Sequence, residues 1–451
     1  LDKPELEIET SRTLIGRGKP GALARKGVHQ LDVVARQINL DPWIEFLSAK
    51  NGPVSKAKSK QSLLDLPAPN LLKAQVNRVT VADMSWHRLN LTAKQNGSTW
   101  NLDVNAKEIE GKGQIRRQGQ TQNFGLNLSR LHLNLPKDEQ AVELKEKPKK
   151  TPRLTEQEKQ IFAAFPNLDL KVKNLWLQGY KLGQLDMKVM REQDRLDWKT
   201  FKLVTGTNQL DIKGWWQVKQ DKTRSSFNID ISGDNNSDLM ARFGINSGLQ
   251  QAKFALNSKL RWQGTPWAIY PNTLYGDLDT KFDDGVISGV NSGAVKLLGI
   301  FSLDSIMRKM RLDFTGVFDD GLAFRSITGT GQIAKGLFVT NDLKMKAVAG
   351  DMMIKGQADL DQRLVDAEVT FIPDLTSSIP ILTAFAVSPP TAVAVFAITK
   401  VLTPVVDVIT KVQYGVKGSL DSPQVTELSR TRGEYELPKQ SVKKLAPKKA
   451  D

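Results

Sequence analysis

The chain has 451 residues, of which 25% are charged and 40% hydrophobic, with a formal net charge of +15. That length can bury large cores and would normally divide into two or more domains. The lack of cysteine excludes thiol catalysis, cysteine-ligated zinc and disulfide scaffolding, whereas the positive balance permits contact with anionic lipid headgroups or nucleic acid.

The sequence begins with Leu1 and shows no basic-apolar leader, so the chain reads as a fragment or processed product in which any N-terminal anchor is not visible. Residues 1–51 are expected to end a preceding β unit and to carry a short helix. Asp41 would cap that helix and Pro42 open it, followed by Trp43, Ile44, Phe46 and Leu47. Residues 52–70, rich in Lys, Pro and Ser, read as a linker.

Residues 71–135 and 167–292 read as strands, separated by a charged loop and short helix over 136–166. In that helix Thr155 and Glu158 form a capping box. Leu168, Leu170 and Val172 alternate with Asp169, Lys171 and Lys173; Leu185, Met187 and Val189 alternate with Asp186 and Lys188. The same period recurs around Leu210 and Ile212, around Phe227, Ile229 and Ile231, and around Phe254, Leu256, Leu260 and Trp262. Strict alternation gives strands with one apolar face and one wet face. Short gaps such as Asn96-Gly97 favour antiparallel hairpins. A weak likeness between Gly206–Gly214 and Gly350–Gly356 suggests growth by stacked hairpins.

Residues 293–310 read as an apolar helix. Strands return over 311–373, with Leu312 and Phe314, Leu343 and Met345, and Ala367, Val369 and Phe371 in alternation. Residues 374–411 hold the charge-free stretch Leu375–Thr399, broken by Pro380, Pro389 and Pro390. A membrane span needs about 20 continuous apolar residues, so two short arms in a helical hairpin fit better. That hairpin would either touch membrane or close the mouth of a groove, or pack in the protein's own core. Its membrane-contact candidates are Ile379, Ile381, Leu382, Phe385, Val393, Val395, Phe396 and Ile398. Terminal strands are expected over 412–428, and a disordered basic tail over 429–451 that carries Lys443, Lys444, Lys448 and Lys449.

Catalytic chemistry is hard to find. His29, His87 and His132 are scattered without metal-ligand spacing and read as exposed strand or loop residues. Gly16-Arg17-Gly18-Lys19-Pro20-Gly21 has the letters of a dinucleotide fingerprint but no βαβ context. Asp234, Asn236 and Asp238 begin like a calcium loop, yet Leu239 and Ile245 stand where glycine and glutamate are required. No catalytic residue, metal or cofactor is expected. Trp176, Trp198, Trp215, Trp216 and Trp262 lie on or beside strands, where aromatics are favoured, and lysines alternate with acids. Nucleic acid is therefore not expected as a partner.

Ser292–Leu303 leads into Arg311-Leu312-Asp313-Phe314, then Phe324, the Ile327-Thr328-Gly329 turn and the proline-jointed segment. Tyr414–Val425 follows, with Gly418-Ser419-Leu420-Asp421-Ser422-Pro423-Gln424-Val425. This ordered set resembles the C-terminal region of the YhdP branch of the AsmA-like family of Gram-negative envelope proteins. The resemblance runs from about Phe165 to Val425 and is densest over Leu278–Val425. It implies an inner-membrane anchor on an N-terminal helix outside this chain, a periplasmic location, and a role as a bridge moving phospholipid between inner and outer membranes. It carries no catalytic residues.

The expected fold is therefore mainly β: a long twisted antiparallel sheet curled into an open hydrophobic groove, with a few short helices and a C-terminal apolar helical hairpin. Groove candidates are Leu170, Val172, Met187, Val189, Ile212, Phe227, Ile229, Ile231, Leu256, Leu260, Phe314, Met345, Val369 and Phe371. Partners would be phospholipids, both membranes and an envelope protein at the C-terminal end. The residues alone equally allow the apolar faces to pack on each other in a sandwich. Two further functions stay open: an envelope scaffold that carries no lipid, and a glycan-binding β-module.

Overall fold

Among the described residues the period-2 stretches are strands, and the protein is mainly β. The computed structural model describes residues 8–19, 21–23, 25–42, 67–81, 84–119, 121–134, 154–220, 222–243, 248–287, 322–348, 350–374, 405–420 and 423–436. Two compact units divide the chain at Thr205 and Gly206, with residues 151–154 grouped with the second.

In the first unit, β1 (Ser11–Gly16), β2 (His29–Asn39), β3 (Leu71–Val81), β4 (Met84–Asn96) and β5 (Thr99–Asn105) pair in chain order. β6 (Ile109–Gln118), β7 (Thr121–Leu133), β8 (Asn167–Leu177), β9 (Tyr180–Glu192) and β10 (Arg195–Thr205) continue the order. The expected antiparallel sheet needs a correction here. The pairs β1–β2, β2–β3 and β7–β8 are parallel. Parallel neighbours require a connection of a dozen or more residues to carry the chain back. The connections that do so are residues 17–28, 40–70 and 134–166. The last two contain the Lys- and Pro-rich breaks that the sequence presents as linkers.

One helix, α1 (Glu156–Ala164), opens the last part of this unit's third crossover with the capping box in place. Thr155 Oγ1 accepts from the Glu158 N–H, and the Glu158 carboxylate accepts from the Thr155 N–H. Arg191 of β9 holds its other end, donating to the carbonyl oxygens of Phe162 and Phe165 with its guanidinium over the Phe162 ring.

Among the described residues of the second unit all pairs are antiparallel. β11 (Asn208–Lys219), β12 (Lys222–Gly233), β14 (Lys253–Gln263) and β15 (Tyr275–Ile287) are neighbours, with α2 (Asn236–Arg242) and the two-residue β13 (Leu249–Gln250) between β12 and β14 in sequence. β16 (Leu322–Ala334), β17 (Leu337–Ala347), β18 (Gly350–Asp359), β19 (Leu364–Pro373), β20 (Val405–Ser419) and β21 (Gln424–Glu436) follow in order. Asn236 and Asp238, two of the three calcium-loop letters, lie in the first turn of α2, which Asn235 caps. Asn235 Oδ1 accepts from the N–H groups of Ser237 and Asp238, and Asp238 pairs with Arg242 at 3.0 Å.

The tight turns carry positive φ on residues other than glycine. Gln178-Gly179 has φ 51 and 85, and Lys335-Gly336 has φ 52 and 78, the twist that two-residue hairpins need.

Two boundaries differ from expectation. β20 begins at Val405, so residues 405–411 are strand rather than part of a helical hairpin. β21 reaches Glu436, eight residues beyond the expected end of the terminal strands at Leu428. The helix over 293–310, Phe314 and the apolar segment 375–404 lie outside the described residues, as does most of the helix expected after Asp41.

Candidate apolar binding face

The strand registers align the apolar half of each alternation. In the first unit one row of opposed residues crosses all ten strands. It runs Ile15, Val33, Ala74, Leu91 and Val104, then Gly111, Leu128, Val172, Leu185 and Leu203. Every member is apolar or glycine. The row one step along the same face carries Leu170 opposite Met187, and Met187 opposite Phe201.

The wet half is equally aligned. Asp103 faces Lys112, Lys171 faces Asp186 and Asp186 faces Lys202. This regularity follows from the side-chain period of two: once one pair is in register, the whole set shares a face.

The second unit repeats the arrangement. Phe254, Phe282, Ile327, Met345, Met352, Phe371 and Val412 form one row across seven strands, β14 to β20. Towards β11, Ile212 faces Ile229, Ile231 faces Leu256, and Phe227 faces Leu260. The opposite face presents Asp230 against Asn257 and Asn257 against Asp279. Glycines on the apolar face make room for bulky neighbours. A Cβ at Gly331 would lie 2.1 Å from the Phe338 ring.

Burial separates the predicted groove residues into two groups. Val369 (0% exposed), Phe371 (2%) and Met345 (3%) belong to a closed cluster with Ile327, Met352, Val412 and Val416. Ile212, Ile229, Ile231, Leu256 and Leu260 are only half-buried, with Phe227 buried among them. In the first unit Leu170, Val172 and Val189 are buried and Met187 is half-buried. Phe314 and all eight membrane-contact candidates lie outside the described residues.

Several polar features escape a period-2 reading. The three histidines are half-buried and partnered rather than exposed. His29 Nδ1 lies 3.1 Å from Ser11 Oγ, His87 Nδ1 lies 2.7 Å from Glu108 Oε1, and the His132 ring packs on Trp176 at 5.3 Å. Burial pushes the Glu108 carboxyl up, but hydrogen bonds from the His87 N–H and ring outweigh it and hold it below the ordinary glutamate range. Burial, with Arg130 nearby, lowers His132.

Trp216 is buried, donates to Thr223 Oγ1 at 2.8 Å and meets Trp267 edge-on at 5.1 Å. Trp267 and Ile269 themselves are exposed. Their loop is legible in hindsight as Gly264-Thr265-Pro266-Trp267-Ala268-Ile269-Tyr270-Pro271, apolar residues set between turn formers.

Among the described residues, no group of three or more His, Asp or Glu could hold a metal ion, and no helix is long and apolar enough to cross a membrane. The faces offer apolar surface bordered by mixed charge. Such a surface can take up a hydrocarbon chain and leave a charged end in water.

Comparison with known proteins agrees with the residues. A family model described as YhdP protein matches residues 2–425, further towards the N-terminus than the sequence resemblance. The chain is 30% identical over 270 residues to the intermembrane phospholipid transporter YhdP of Escherichia coli (strain K12). That match covers 60% of this chain and 21% of the relative, so the chain matches about a fifth of the relative's length. No solved structure gives a significant match. With the family model spanning almost the whole chain, the protein belongs to the YhdP family.

Proposed function

We propose that the chain is a segment of a phospholipid bridge between two membranes, and that each unit's apolar face shields acyl chains while headgroups stay wet. The observation that carries this reading is the unbroken apolar row across all ten strands of the first unit, backed by an equally regular polar face. A packed sandwich needs only a local apolar patch; a path for a long chain needs continuity. Exposing an acyl chain to water costs about 0.8 kcal/mol per methylene, so even partial cover along the path lowers the barrier to transfer substantially. The half-buried stretch around Ile229 and Leu256 is where a chain can enter contact without displacing a core. The relative named as an intermembrane phospholipid transporter supports the same substrate class. The envelope location, inner-membrane anchor and absence of catalysis form part of this reading.

The closed cluster around Val369 favours a second role for that part of the second unit: a structural block that fixes the sheet and carries no lipid.

Native mass spectrometry of the purified chain is expected to show bound phospholipid. Photo-crosslinkers at Ile229 and Leu256 should capture it, and those at Asn228 and Asn257 should not. Equal capture at all four positions, or no co-purified lipid, would overturn the path.

A further inference from the structure

The polar face of the first unit carries a feature that the apolar path does not use. A depression of about 320 Å3 is lined by Arg17, Arg36 and Arg88 together with Gln75, Asn77 and Asn90. Val34, Ala35, Val76 and Leu89 complete its lining, the last three opposed across β2, β3 and β4. No carboxylate lines it. Among the described residues, none of the three guanidinium groups has a side-chain hydrogen bond or ion pair. Other cations of the unit do sit against acids, Arg12 with Asp32 at 2.6 Å and Arg130 with Glu110 at 3.0 Å.

The backbone brings the three together by two irregularities. Arg88 has φ 54, which breaks the β4 alternation at that point. Gly16 has φ 109, and a Cβ there would meet the Val34 carbonyl oxygen at 1.9 Å. Only glycine lets the chain pass that close, and the next residue, Arg17, is then tied by its N–H to the same carbonyl at 3.0 Å.

We infer that this depression binds a phosphate-bearing anion. Three unpaired guanidiniums provide forked donors matched to phosphate oxygens. Gln75, Asn77 and Asn90 add neutral amide donors, and the volume accommodates a phosphate group with a small substituent. The anion is either a free phosphate ester or a lipid headgroup at a membrane surface. Its polar donors lie outside the apolar row, so the site does not depend on the proposed acyl path.

Isothermal titration of the whole chain with inorganic phosphate at low ionic strength tests the site. Flotation with vesicles of phosphatidylglycerol and phosphatidylcholine tests its source. Each of Arg17→Gln, Arg36→Gln and Arg88→Gln should weaken phosphate binding by about tenfold. A triple Lys171→Gln, Lys173→Gln, Lys188→Gln variant removes three charges from exposed positions of the same unit, more than any single arginine variant, and should change it little. Arginine-dependent flotation competed by phosphate assigns the site to a headgroup; arginine-dependent phosphate binding without flotation assigns it to a free ester. Equal losses in the arginine and lysine variants, or no binding of either probe, would overturn the site.

Discussion

Ile229 and Asn228 are adjacent on β12, and the strand period sends one to the apolar face and the other to water. Ile229→Asp should therefore abolish phospholipid capture while the protein stays folded, because its site is half open to solvent. Asn228→Asp should leave capture intact. A folded Ile229→Asp variant that loads lipid as well as the parent would remove this strand from the path. Val369 behaves differently although its sequence pattern is the same. It is fully buried between Ile354 and Tyr414, so Val369→Asp should cost roughly 4 kcal/mol or more. Urea unfolding would read that as a large drop in midpoint, whereas a retained midpoint would mean the cluster is open. Glu108 gives a third residue-level expectation. Its folded-state pKa is depressed, so its contribution is complete above the unfolded value of about 4.3 and is lost as pH falls through the lower folded value. Glu108→Gln should cost about 1–3 kcal/mol near neutral pH, and the gap to the parent should narrow below about pH 4. A gap that stays constant down to pH 3 would contradict the depressed carboxyl.

At the scale of elements, the turns and crossovers decide how strands join. Lys335 occupies the first position of a two-residue turn with φ 52, a conformation that asparagine adopts more easily than lysine. Lys335→Asn should raise stability by about 0.5–1 kcal/mol, measured as a higher urea midpoint for the second unit. No gain, or a loss, would show that the lysine makes a contact outweighing its backbone strain. Among the described residues, the alternations read from the sequence fall on β8, β9, β11, β12, β14, β17 and β19, and Thr155 with Glu158 announced α1. Strand direction was hidden, because a strand's residue pattern is the same whichever way its neighbour runs. The clue lay in connection length: residues 40–70 and 134–166 are long enough to return the chain, and the pairs they join are parallel.

For the whole molecule, the family assignment and the two apolar faces point to one task, yet the apolar segment over residues 375–404 lies outside the described structure. β20 starts at Val405, so a deletion meant to test that segment should stop at residue 404 and bridge the gap with a short flexible linker. Deleting residues 376–404 should abolish liposome binding and keep the β signal in circular dichroism. Unchanged liposome binding would assign membrane contact to another part of the chain.

The sequence by itself determined strand content, the apolar and polar halves of each strand, the α1 cap and the family, because each depends on spacing within a short stretch or on an ordered set of residues. Tertiary structure alone decided which strands run parallel and which apolar residues are closed rather than half open. It also brought Arg17, Arg36 and Arg88 around one depression, and paired His87 with Glu108 across 21 residues. Those outcomes depend on register between segments distant in sequence and on what covers a face. Neither is encoded in the period of any single strand.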